Sequence, residues 1–158
     1  MTETFPDGRI LLRHFLATLA YRGGKCLQGA PAEFAEHDTG GGWTPVRIVA
    51  HLGDLLDWSL ALAGGDGRWH RAEPGTWEQE ATRFHRTLGL LDQYLASGAP
   101  FQADPARLLQ GPLADAMTHI GQLAMLRRMT GAATAGENYF KADIVPGRVG
   151  PDQAYPRD

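Results

Sequence analysis

Three ionisable side chains stand where the helical pattern asks for apolar ones. In PVRIVAHLGDLLDW, at about 100° per residue, Ile48, Leu55 and Trp58 fall within about 60° of His51, so its imidazole lies inside the apolar stripe. Further along, Leu108, Pro112 and Leu126 gather around Asp115 and His119, which predicts that both occupy the middle of a buried face. A carboxylate left without a partner there costs several kcal/mol of desolvation, so it must be neutralised, hydrogen-bonded or bound to a cation. The i, i+4 spacing of Asp115 and His119 sets their Cβ atoms about 5 to 6 Å apart, close enough to share one metal ion. His51, from another helix, would complete a set of two imidazoles and one carboxylate, which binds a divalent transition metal and leaves positions open for water or substrate. A metal-free reading stands beside this one: a core histidine is ordinarily a hydrogen-bonded packing residue, and Asp115 with His119 can be a buried pair. Nothing local brings His51 to the other two.

The remaining polar residues are read against the same pattern. Helical-wheel geometry places Asp54 beside His51 and Gln122 beside Asp115, where each could orient a ligand or a bound water. Alternatively, Asp54 faces solvent and Gln122 makes a helix-packing hydrogen bond. Gly121 reads as a point of close helix approach, and Arg127 and Arg128 as last-turn residues that complement the helix dipole. Cys26 falls on a buried stripe and is not needed as a nucleophile. His14 and His37 read as exposed, His70 as a loop residue and His85 as the edge of its helix's stripe. The Trp69-His70 loop and the Glu137-Asn138-Tyr139 part of the tail are placed to cover a pocket or another subunit.

These side chains must be held by helices. The chain has 158 residues, 43% hydrophobic and 21% charged, enough for one sizeable core and one domain, 1–158. Apolar residues recur at helical spacing in four windows, about 7–27, 44–63, 77–97 and 105–130, separated by Gly/Pro-rich breaks, with an irregular tail over 132–158. The first carries Leu12, Phe15, Leu16, Leu19, Gly23 and Cys26 on one stripe, with Asp7 as its cap and Arg13 and His14 pointing away. Thr44-Pro45 opens the second, and Thr76 with Gln79 has the capping-box spacing that opens the third. In the third, Trp77, Ala81, Phe84, Leu88, Leu91 and Leu95 form the stripe and Glu78, Arg83, Arg86 and Gln93 face solvent. The fourth has an irregularity at Gly111-Pro112. The tail is expected to pack through Tyr139, Phe140, Ile144 and Val145. The pattern is all-α, and the two long inner connections admit a crossover topology.

Composition narrows the function classes. The net charge of −3, with no run of like charges, disfavours nucleic acid and anionic lipid as partners. Neither a secretory leader nor an apolar run of membrane-spanning length is evident, and the single Cys26 excludes an internal disulfide and a CxxC metal site. A cytoplasmic location is the expectation.

Two segments resemble the DinB/YfiT-like metalloprotein superfamily of four-helix bundles. WTPVRIVAHLGDLLDW, Trp43 to Trp58, is similar to the family's entry into the second helix, with His51 at the position of the first metal histidine. DAMTHIGQLAMLRRMTG, Asp115 to Gly131, is similar to its fourth-helix signature through His119-Ile120-Gly121-Gln122 and Leu126-Arg127. Asp115 departs from it, standing where most members have a histidine. The resemblance implies an up-down-down-up bundle and a divalent metal on His51, Asp115 and His119. Zn or Ni is the family's usual metal, and the harder carboxylate donor makes Fe or Mn conceivable. It further implies a thiol-dependent transferase or hydrolase, with a low-molecular-weight thiol as co-substrate and a small electrophile activated against metal-bound thiolate or water. A homodimer is expected. The alternatives are a non-catalytic metal- or ligand-binding stress-response bundle and a metal-free helical dimerisation domain.

Overall fold

The structure, a computed structural model, describes residues 8–158, so the expected Asp7 cap lies outside the described residues. Within them the chain is all-helical, with no strand. Four long helices form where the apolar period places them: α1 (Gly8–Leu27), α2 (Pro45–Ala63), α3 (Trp77–Ala96) and, after a short α4 (Pro105–Leu108), α5 (Ala114–Met129). Among the described residues, no helix is long and apolar enough to cross a membrane.

Local chemistry accounts for the helix boundaries. Thr76 and Gln79 form the reciprocal capping box at the start of α3, so two backbone N–H groups that the helix cannot bond are satisfied. Pro45 begins α2, where its missing N–H costs nothing, but Thr44 makes no side-chain cap and its buried Oγ1 has no partner among the described residues. Asp104 caps α4, accepting from the Ala106 N–H at 2.9 Å. The expected irregularity is a wide turn over Leu109–Leu113, in which Gly111 leaves helical geometry (φ −92°, ψ −107°) ahead of Pro112. The first inner connection also contains a 3-10 turn, Ala32–Glu36, which buries Phe34 against Trp77, an element the Gly/Pro-rich reading missed.

Packing is specified by a few named contacts. Arg13 makes a two-pronged salt bridge to Asp92 (2.9 and 3.1 Å) at one end of α1 and α3, and at the other end the Trp77 indole donates to the Leu27 carbonyl at 3.3 Å. Between α2 and α3, Arg83 donates to the Ala50 carbonyl at 3.0 Å and the Tyr94 hydroxyl to that of Ala63 at 3.2 Å. Gly23 allows α1 to approach both α3 and α5, since a Cβ there would lie 2.6 Å from Phe84 and 3.2 Å from Ile120. Gly53 admits the Arg83 guanidinium in the same way, with 2.6 Å to Nη1.

Several expectations need correction. Arg13 and Arg83 do not face solvent; each is drawn to a buried carboxylate, Asp92 and Asp54 respectively. Gly121 has nothing within 4 Å of its added Cβ, so the close approaches belong to Gly23 and Gly53 instead. Arg127 is buried and donates to the carbonyls of Cys26, Gln28 and Gly29, closing the C-terminal end of α1. In the tail, Phe140 and Val145 are exposed and Val149 is the buried residue, because the chain turns at Gly147 (φ 93°) and presents Val149 to the core. Glu137 holds the tail to α1, accepting from the Tyr21 hydroxyl and from the Lys25 ammonium, each at 2.5 Å. That placement puts the Glu137–Tyr139 segment over α1.

Candidate metal centre

The middle of α2 and the first turns of α5 meet at one surface of the molecule. There His51, Asp115 and His119 each offer a ligand atom, and these atoms lie within 4.8 Å of one another. His51 Nε2 is 3.7 Å from one carboxylate oxygen of Asp115, and His119 Nε2 is 3.5 Å from the other. Both separations exceed the 2.9 to 3.0 Å typical of an N–H···O bond. They match the spacing of about 3.3 Å expected between donors around a tetrahedral ion bound at about 2.0 to 2.1 Å. The donor set, two neutral nitrogens and one carboxylate, suits a divalent transition metal.

The surroundings prepare the two imidazoles. The Nδ1–H of His119 donates to Gln122 Oε1 at 2.8 Å, which orients the ring and leaves Nε2 as the nitrogen facing Asp115. Burial pushes the His51 imidazole below its ordinary value, reinforced by the adjacent His119 and opposed by Asp115 and Asp54. A neutral imidazole is the ligating form. The Trp43 ring stacks on His119 (centroids 6.0 Å apart, 10° between planes) and meets His51 edge-on at 5.4 Å. Trp69, from the loop between α2 and α3, packs edge-on against His51 at 5.8 Å and against Trp58 at 5.6 Å. That loop therefore covers part of the site, as its composition suggested.

Asp115 is the main correction. Its side chain is 49% exposed, whereas those of His51 and His119 are 20% and 14% exposed. The wheel centred the buried face of α5 on Asp115, but that face is set by Ala116, Ile120 and Leu123, and Asp115 lies at its rim. The site is consequently open to solvent on the carboxylate side.

Asp54 is buried rather than solvent-facing, at 2% exposure, and makes no hydrogen bond to His51. Its carboxylate accepts from Arg83 Nη2 at 2.5 Å and from the Ala72 N–H at 3.3 Å, so it ties the covering loop to the α2–α3 pair. Arg83 also reaches Asp57 at 2.9 Å and Glu80 at 3.4 Å. Sequence reasoning missed Arg83 because its helical angle is polar, and only the glycine at Gly53 hinted that something bulky passes there. Cys26 is buried, its thiol pushed up to about 11 by burial, and it stands apart from the His51, Asp115 and His119 group, against the Ile120 carbonyl. His14, His37 and His70 are exposed, and His85 Nδ1 bonds the Val149 carbonyl at 3.1 Å.

No protein-family model, curated protein or solved structure matches the chain.

Proposed function

We propose that the chain is an up-down-down-up four-helix bundle of the DinB/YfiT-like kind, in which His51, Asp115 and His119 hold one divalent transition metal for a thiol-dependent transferase reaction on small electrophiles. The observation that carries this reading is the convergence of three potential ligand atoms, from two helices remote in sequence, at separations suited to a shared ion and too long for strong mutual hydrogen bonds. The bundle order is supported by the contacts. Arg13 with Asp92 and Trp77 with Leu27 run α1 against α3, whereas Ala50 with Arg83 and Ala63 with Tyr94 run α2 alongside α3. Gly8 against Pro105 and Gly23 against Ile120 run α1 alongside the α4–α5 segment.

A divalent cation at this position supplies the Lewis acidity that lowers the pKa of a coordinated thiol or water. The chain's residues supply the rest. His119 is oriented by Gln122, and His51 is kept neutral by burial. Trp43 and Trp69 exclude water from the imidazole edges, and the half-exposed Asp115 leaves the site accessible to exchangeable ligands. This openness favours turnover over a sealed, storage-type site.

The test is metal content of the undenatured protein after reconstitution with Zn2+ or Ni2+, followed by assay of thiol consumption with a panel of electrophiles. About one metal per chain is expected, with loss in His51→Ala and in His119→Ala and thiol-dependent turnover in the unaltered chain. Absence of stoichiometric metal overturns the reading, and stoichiometric metal without turnover across the panel removes its catalytic part.

A further inference from the structure

Beside the candidate metal centre, and sharing His51 and Trp43 as walls, lies a small cleft of about 40 Å³, room for a group the size of a carboxylate. Its charged lining consists of Arg47, Asp54, Arg71 and Glu73. Asp54 is already paired with Arg83 at 2.5 Å. Among the described residues, no ion pair involves Arg47, Arg71 or Glu73. The cleft is thus lined by two arginines and one glutamate that join no ion pair, in a chain whose net charge is −3. A divalent cation balanced by the single Asp115 carboxylate would leave a further positive charge next to it.

Both arginines are carried on anchored backbone. Arg47 donates through Nη1 to the Gly42 carbonyl at 2.6 Å and lies 5.9 Å from the Trp43 ring, which leaves its other N–H groups available. Arg71 precedes Ala72, whose N–H is held by the buried Asp54 carboxylate, so the exposed Arg71 side chain projects from a fixed point of the loop. Planar guanidinium groups at a concave wall are suited to a carboxylate, which accepts two parallel N–H bonds.

We propose that this cleft binds the carboxylate of a small-molecule ligand through Arg47 and Arg71, while the ligand's thiol reaches the His51, Asp115 and His119 site. The co-substrate class is therefore an acidic thiol. This inference rests on the metal reading above. It adds that recognition resides in residues of the second helix and its following loop, outside the ligand set.

The experiment uses the full chain loaded with Co2+, whose absorption reports first the metal's ligand set and then the arrival of a thiol. Mercaptopropionate and its uncharged counterpart mercaptopropanol are titrated into the same preparation. The carboxylate thiol is expected to bind about tenfold more tightly, the effect of a charge-assisted pair at a partly exposed site. Arg71→Ala and Arg47→Gln should each reduce that preference to about threefold or less, without changing Co2+ stoichiometry, whereas Arg86→Ala on the exposed side of α3 keeps it. Equal binding of the two thiols, or a preference that survives both cleft substitutions, overturns the inference and leaves the metal centre standing. Failure of Co2+ to bind before any thiol is added overturns the metal reading and this inference together.

Discussion

Gln122 shows how one side chain can matter through another. It accepts from His119 Nδ1 at 2.8 Å, so in the proposed metal site its replacement would alter ligand readiness without removing a ligand. Gln122→Leu is expected to weaken Zn2+ affinity about 10- to 100-fold while leaving stoichiometry intact at saturating metal, measured by competition with a chromophoric chelator. Unchanged affinity would mean that the hydrogen bond only packs the helix. Cys26 illustrates the opposite case, a reactive type made inert by its surroundings. Its thiol is pushed up to about 11 by burial, and Arg127 and Lys25 only partly oppose that. Native protein should therefore resist alkylation by iodoacetamide at pH 8 and react fully in urea, as read by mass spectrometry. Rapid labelling of the native chain would contradict that placement.

At the scale of elements, the α2–α3 pair is organised around an ionic cluster as well as an apolar seam. Asp54 is nearly inaccessible, and its charge is balanced by Arg83, which threads past Gly53 to reach it. Removing the arginine strands a buried carboxylate, so Arg83→Met should destabilise the chain by about 3 to 5 kcal/mol, measured by urea denaturation. Combining it with Asp54→Asn should recover part of that loss, because the uncompensated charge is then gone; no recovery would show that Arg83 acts by packing alone. Thr76→Ala, which removes half of the capping box on α3, belongs to a smaller class of about 1 kcal/mol. The difference between the two reflects where each group sits: the cap is exposed to water that can substitute for it, and Asp54 is not.

For the whole molecule, the tail closes over the helices through both charge and a histidine. Glu137 joins Tyr21 and Lys25 of α1, and the Val149 carbonyl accepts from His85 of α3. Burial lowers the His85 pKa from its ordinary value of 6.5, with the Val149 hydrogen bond opposing in part. The unfolded chain consequently takes up this proton at a higher pH than the folded one. The contribution to stability is fully present above about pH 6.5 and declines as pH falls from there toward the lower folded value. His51 shifts in the same direction. Metal-free protein should lose stability between pH 7.5 and 5.5 in urea titrations, and His85→Asn, which keeps a donor for the Val149 carbonyl, should flatten that slope. An identical slope in the variant would locate the proton uptake elsewhere.

Local pattern carried much of this. The four long helices, the capping box at Thr76, the break at Gly111-Pro112 and the stripe through Leu12, Leu16, Leu19 and Gly23 follow from short-range spacing, because helix formation is decided by neighbours three and four residues away. Asp115 and His119 could be paired for the same reason, since one turn of helix separates them. Which side of α5 is buried was not decidable in that way: the wheel centred it on Asp115, and the neighbouring helices centre it on Ala116, Ile120 and Leu123. The burial of Asp54, the path of Arg83 and the packing of Val149 likewise depend on partners tens of residues distant. Above all, local spacing marked His51 as out of place but did not bring it to Asp115 and His119; only the family resemblance grouped the three. The meeting of α2 with α5 is what brings that imidazole to the carboxylate and imidazole of the later helix, because only the packing of distant segments sets distances between them.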